Sequence, residues 1–131
     1  MITGTCRLIF DTNQKLPIDK RYSLDVFRDQ YYPIAEVSRF IIKHQTIGLN
    51  QEFKLLIKGI YSVGYDNGIS NIISVIKKEH FKLYQKFGGF TIKYRFLNYG
   101  EIDQDIVMTS WHILKISNFF KRAFLKESKV A

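Results

Sequence analysis

Two runs of branched and aromatic residues, Ala35 to Ile42 and Ile69 to Ile76, carry the residue types that fill β-strands, and the stretch between them changes period. Asn50 is a good N-cap, and Glu52 falls in the first turn, where the helix dipole favours an anion. Phe53, Leu56, Ile57, Ile60, Tyr61 and Gly64 recur at helical spacing before Asn67-Gly68 closes the segment. Strand, helix and strand in that order predict two parallel neighbours in one sheet with the helix packed on its face. An α/β or α+β layered sheet follows.

The rest of the chain fits around this unit. Residues 2–10 are β-rich, and Asp11-Thr12-Asn13 reads as a turn. Residues 14–33 read as mostly irregular, punctuated by Leu16-Pro17-Ile18 and Tyr31-Tyr32-Pro33. Lys77 to Phe87 reads as a second helix, with Phe81, Tyr84 and Phe87 on one side and Gly88 as the stop. Its Lys78, Lys82 and Lys86 recur every four residues, which on a helix is one face. Residues 90–99 and 105–114 read as further strands, and Ser117 begins a short basic helix with Phe119, Phe120 and Phe124 inward. The order is β-β-α-β-α-β-β, and 131 residues without repeat or linker predict a single domain, 1–131.

Composition excludes several classes. With 46% hydrophobic and 24% charged residues the chain can build a core, so it is not a disordered tail. The one cysteine, Cys6, cannot form an internal disulfide, which suits a reducing compartment. No apolar run approaches the roughly 20 residues of a membrane span, and the N-terminus lacks a signal-peptide layout, so a cytoplasmic protein is expected. A net charge of +8 favours an acidic partner. The aromatics fall at core periods rather than on one open sheet face, which argues against nucleic acid. His44, His80, His112 and Cys6 have no metal-ligand spacing, no Ser-His-Asp arrangement is readable, and Trp111 reads as core.

Three segments stand out chemically. In Glu36-Val37-Ser38-Arg39, ionisable groups interrupt an apolar strand, where each must be paired, solvated or used. A structural ion pair between strands and a catalytic pair both satisfy that demand, and Arg7 is the expected structural partner of Glu36. Strict alternation puts Glu36 and Ser38 on one face and Arg39 on the other, so a shared site for Glu36 and Arg39 needs a bulge. Next, His44 to Asn50 leads from a strand into a helix N-terminus, a place where backbone N–H groups can meet a phosphate. The third, Leu83 to Phe90, reads as a helix end followed by a strand, with Tyr84 either core or facing a cleft.

Together these segments resemble the GNAT-type N-acyltransferases. Gln45-x-x-Gly48-x-Asn50 is similar to that superfamily's pyrophosphate loop, with Asn50 where a small residue is usual. Leu83-Tyr84-Gln85-Lys86-Phe87-Gly88 with Phe90 is similar to its Leu-Tyr-x-Lys-x-Gly-Phe motif, with one additional glycine. Gly4-Thr5-Cys6-Arg7-Leu8-Ile9, Leu16-Pro17-Ile18, Glu36-Val37-Ser38-Arg39-Phe40, Gly68-Ile69-Ser70-Asn71 and Tyr99-Gly100, in that order, narrow the resemblance. They look like the N-acyl amino acid synthases and their relatives, the acyl-homoserine-lactone (autoinducer) synthases. Those families place further elements ahead of the Gly-Thr-x-Arg-Leu strand, so the N-terminal part is expected to be short or missing.

The resemblance implies a twisted mixed sheet with helices on both faces and transfer of a fatty acyl group to the amine of an amino acid or related small molecule. The donor would be acyl carrier protein or acyl-CoA, with no tightly bound cofactor and no metal. It implies Glu36, Ser38, Arg39 and Tyr84 as catalytic, and Gln45, Gly48 and Asn50 as donor-binding. Arg7, Phe40, Ile41, Ile42, Ile72 and Ile73 would hold substrate or acyl chain. Lys78, Lys82 and Lys86 would meet the acidic carrier protein. An acetyl-CoA-dependent acetyltransferase and a non-catalytic acyl- or CoA-binding domain of the same fold are the alternatives.

Overall fold

The computed structural model describes residues 4–11, 16–20, 23–25, 33–42, 51–96 and 105–125, and at 4, 20 and 39–42 the description is of the backbone. Strand β1 (Gly4–Phe10) pairs antiparallel with β2 (Ile34–Ile42), and helix α1 (Gln51–Asp66) then returns the chain to β3 (Asn71–Lys77). Helix α2 (Phe81–Gln85), β4 (Phe90–Phe96) and β5 (Ile106–His112) follow, and a short α-helical turn α3 (Asn118–Phe120) runs into a π turn, Lys121–Leu125. The sheet order is β1-β2-β3-β5-β4. Strands β2 and β3 are parallel; the other neighbours are antiparallel.

Parallel pairing of β2 with β3 runs from Ile34 opposite Asn71 to Glu36 opposite Ile73 and stops, although both strands continue. The two strands therefore part beyond Glu36. The strand–helix–strand expectation holds, and α1 buries Phe53, Ile57, Ile60 and Gly64 as its period requires.

Side-chain alternation divides the sheet into two cores. One face carries Ala35 and Ile72 with the α1 residues and an aromatic cluster that includes Phe87, Trp111, Phe120 and Phe124. The other carries Ile34, Ile73, Phe96, Ile106 and Met108 under Leu16, Ile18 and Leu24. The α-helices pack on the first face, whereas the second is covered by a 3₁₀ turn, Pro17–Lys20, and its flanks. Both carboxylate oxygens of Asp19 hold this strap: Oδ2 accepts from Leu16 N at 2.8 Å and Oδ1 from Leu24 N at 3.2 Å.

The expected single helix over 77–87 is corrected. Lys77 is still extended, Lys78–His80 form a 3₁₀ turn, and α2 begins only at Phe81. In a 3₁₀ turn positions three apart eclipse, so the four-residue lysine stripe does not continue through Lys78. Lys78, Lys82 and Lys86 are nevertheless all exposed. Of the two further strands, β5 is shorter than the expected 105–114, with Ile113–Lys115 forming a 3₁₀ turn after it, and positions 97–99 of the other expected strand lie outside the described residues. Gly89, at φ +78°, passes so close to β5 that an added Cβ would lie 2.5 Å from the His112 carbonyl oxygen. The C-terminal segment starts at Ser117 as expected. Its hydroxyl accepts from Phe120 N at 3.1 Å and donates to the Lys86 carbonyl at 2.6 Å. Phe120 and Phe124 are buried, and Phe119 is half-buried. Among the described residues no helix is long and apolar enough to cross a membrane.

Candidate active site

Glu36 stands at the last paired position before β2 and β3 separate. It is only 5% exposed, on the face covered by the Leu16–Leu24 strap, and its Oε1 accepts a hydrogen bond from Ile18 N at 2.9 Å. Burial pushes the Glu36 carboxyl above the usual glutamate range; the Ile18 N–H pulls back, Asp19 pushes further up and Arg7 pulls slightly down. The result is a carboxylate that holds a proton more readily than a surface glutamate.

Arg7 is not the direct partner expected for Glu36. Antiparallel register sets Ile9 opposite Glu36 and Arg7 opposite Ser38, and Arg7 Nε donates to Ser38 Oγ at 3.3 Å. The pairing of β1 with β2 also slips. Thr5 faces Ile41 and Arg7 faces Ser38, so β2 carries one extra residue at Arg39–Phe40. A bulge occurs at the place where alternation alone separates Arg39 from Glu36. The side chains of Arg39, Phe40, Ile41 and Ile42, and all of Gln45, Gly48 and Asn50, lie outside the described residues.

A cavity of about 150 Å³ fills the separation between the strands. Val37 and Ser38 line it from β2, and Ile72, Ser74, Val75 and Ile76 from β3. Ile57 and Ile60 of α1 cover it, and Tyr84, Phe90 and Trp111 complete the wall. Ile72 is on this wall. Ile73 is corrected: it is fully buried in the opposite core, because neighbours on a strand point to opposite faces. Ser74 Oγ and Thr109 Oγ1 are 2.8 Å apart, and Thr109 Oγ1 also donates to the Ser74 carbonyl at 3.2 Å.

Tyr84 does not join Glu36. It packs among Phe53, Phe87 and Phe90 on the helix side of the sheet, and burial pushes its hydroxyl well above the usual tyrosine range. It shares the cavity wall with Ser38. Ile57, Ile60 and Trp111 were readable as inward-facing core residues, but no sequence signal marks a core residue that borders a void. Asp19 and Ile18 were missed as neighbours of Glu36, since an irregular segment has no period from which to read its direction. A second, open hollow of about 480 Å³ lies at the C-terminal end of β3 among Lys77, Lys78, Glu79 and Asp105. Among the described residues no group of three His, Cys, Asp or Glu is arranged to hold a metal ion.

Comparison with known proteins agrees with this architecture. A family model described as N-acyl amino acid synthase FeeM matches residues 1–110. The structure is similar to that of FeeM, an N-acyl amino acid synthase from uncultured soil microbes, with a TM-score of 0.74 at 22% identity over 87% of this chain. It is similar to MesI, a CoA-dependent acyl-homoserine lactone synthase, with a TM-score of 0.62 at 16% identity, covering 98% of this chain and 66% of that one. An acetyltransferase of the GNAT family from Streptococcus pneumoniae gives 0.52 at 16% identity, covering 87% of this chain and 59% of that one. The fold is thus GNAT-like. This chain spans 65% of the length of the FeeM chain. No curated protein matches the sequence.

Proposed function

The chain belongs to the N-acyl amino acid synthase FeeM family, and from that premise we propose that it transfers a fatty acyl group from a thioester to the amine of an amino acid or a related small molecule. We take residues 1–131 as one acyltransferase domain. The observation that carries this reading is a buried carboxylate of raised proton affinity where two parallel strands part over an apolar cavity.

The chemistry follows from that placement. An amine attacks the thioester carbonyl only through its neutral form, so a proton must leave nitrogen. Glu36, directly or through one water, accepts it. The new N–C bond forms a tetrahedral oxyanion that collapses with loss of the C–S bond, and the thiolate then takes a proton. Backbone N–H groups freed where β2 leaves β3 are the donors available to the oxyanion. Ser38, hydrogen-bonded to Arg7, and Arg39, on the bulge, are assigned to orienting the reactants. Tyr84, which keeps its proton because it is buried, is a candidate acid for the leaving thiolate.

The donor is acyl carrier protein or acyl-CoA. The loop of Gln45, Gly48 and Asn50, ahead of α1, is assigned to its phosphate. The exposed Lys78, Lys82 and Lys86 suit an acidic carrier protein, now as two separate turns rather than one stripe. A predominantly apolar cavity favours a fatty acyl over an acetyl group. Mass spectrometry of lipids from cells expressing the chain, with Glu36→Gln as the control, tests the proposal. A new N-acyl amino acid that disappears with the variant is the expected result.

A further inference from the structure

We infer that Asp19 is a positioning residue for the transfer: it clamps the Leu16–Leu24 strap so that the Ile18 N–H stays aimed at Glu36, and it sets a second carboxylate beside that donor. This rests on the acyltransferase reading and deepens it by naming a residue that governs the base.

Asp19 ties the strap through backbone and side chain together. Its own N–H donates to the Leu16 carbonyl at 3.0 Å, its Oδ2 accepts from Leu16 N at 2.8 Å and its Oδ1 accepts from Leu24 N at 3.2 Å. The two N–H donors converge from three residues before it and five residues after it. A carboxylate accepts from both; an asparagine offers one oxygen and would turn its NH₂ toward the other N–H. Leu16, Ile18 and Leu24 are buried against the sheet, so the clamp fixes a short segment that is already pressed into the core.

The fixed segment is the one that holds Glu36. Ile18 immediately precedes Asp19, and its N–H meets Glu36 Oε1 at 2.9 Å. Among the described residues this is the one hydrogen bond to the Glu36 carboxylate, which leaves Oε2 to take a proton. A 3₁₀ turn of four residues has poor hydrogen-bond geometry of its own, so the direction of that N–H depends on the clamp.

Asp19 also acts through its charge. Among the described residues the charged groups that act on Glu36 are Asp19 from the strap and Arg7 from β1; its cross-strand neighbours, Ile9 of β1 and Ile73 of β3, carry none. Burial does most to raise the proton affinity of Glu36, and the Ile18 N–H opposes it. Of the two charges, Asp19 adds to the rise and Arg7 opposes it more weakly. A neutral residue at position 19 therefore lets Glu36 release its proton at lower pH.

The experiment compares the full chain with Asp19→Asn, Asp19→Glu, Glu36→Gln and the double variant Asp19→Asn with Glu36→Gln. NMR of labelled glutamate carboxyl carbons gives the Glu36 midpoint, assigned by its absence in Glu36→Gln. Thiol release from decanoyl-CoA with a mixture of amino acids gives kcat/KM across pH. A base works deprotonated, so a lower midpoint moves the acid limb of the profile to lower pH. Asp19→Asn is expected to lower midpoint and limb together and to cut the plateau rate about tenfold. Because Asp19 acts through Glu36, the same substitution should cost less than about twofold in the Glu36→Gln background. Asp19→Glu keeps the charge on a longer arm, so its midpoint should stay with the parent's while its rate falls; it carries the test if Asp19→Asn does not fold. An unmoved midpoint in Asp19→Asn, equal rate losses in both backgrounds, or a parent-like rate in Asp19→Glu would overturn the inference and leave acyl transfer standing. No turnover by the parent would overturn the acyltransferase reading, and the NMR midpoints would still decide whether Asp19 governs Glu36.

Discussion

The two faces of this sheet solve different problems with the same strands. The helix side is aromatic and thick: Phe87, Trp111 and Phe120 are essentially fully buried under α1 and the C-terminal segment. The strap side is aliphatic and thin: Leu16, Ile18 and Leu24 cover it through a 3₁₀ turn, and it alone contains the buried carboxylate Glu36. A large aromatic core walls the cavity on one side, whereas a light cover supplies one aimed backbone N–H to the carboxylate of Glu36. The parting of β2 from β3 joins the two, since the cavity walls include Val37 of one face and Ser38 of the other.

The sharpest way to break this comparison is Glu36→Gln. Glutamine keeps an oxygen that accepts from Ile18 N, so the variant should stay folded, with no loss of melting temperature. Loss of the base should lower the rate about 10²–10⁴-fold, read as kcat/KM with an acyl thioester. A folded variant that turns over like the parent would remove chemistry from the strap side.

On the helix side the corresponding test is thermodynamic. Phe87 is fully buried and contacts Phe53, Tyr84, Phe90, Trp111, Phe120 and Phe124. Phe87→Ala should cost about 3–5 kcal/mol in urea denaturation through the void it leaves. A cost below about 1 kcal/mol would show that the aromatic core relaxes freely, and with it the cavity wall.

A smaller effect is expected at the surface of that side. Reversing Lys82 and Lys86 should slow association with an acyl-loaded carrier protein by up to about tenfold at low salt and flatten its salt dependence, with melting unchanged. Stopped-flow association rates across a salt series check this.

The smallest effect separates the faces by pH. Burial raises the proton affinity of Glu36 in the folded chain above its unfolded value. Its stabilising contribution is therefore present below the ordinary glutamate range and is lost as pH rises through the raised folded value. Glu36→Gln lacks that loss, so its melting temperature relative to the parent should climb across this window. A flat difference would mean that Glu36 titrates like a surface carboxylate.

Much of this was legible from residues alone. The period change between Ala35–Ile42 and Phe53–Gly64 identified the strand–helix–strand unit, and the charges inside an apolar strand marked Glu36 and Arg39. A site shared by Glu36 and Arg39 would need a bulge by the same pattern, and the register of β1 on β2 contains one at Arg39–Phe40. Periodicity is a local property of the chain, so it survives in sequence. Which group meets a buried carboxylate is not local. Glu36 is held by a backbone N–H eighteen residues away, in a segment without period, rather than by the Arg7 side chain on the neighbouring strand. Likewise Trp111 reads as core by its type, and only the tertiary structure makes it part of a cavity wall. Sequence determined which side chains turn inward; tertiary structure decided what they face, because each facing surface is assembled from segments far apart along the chain.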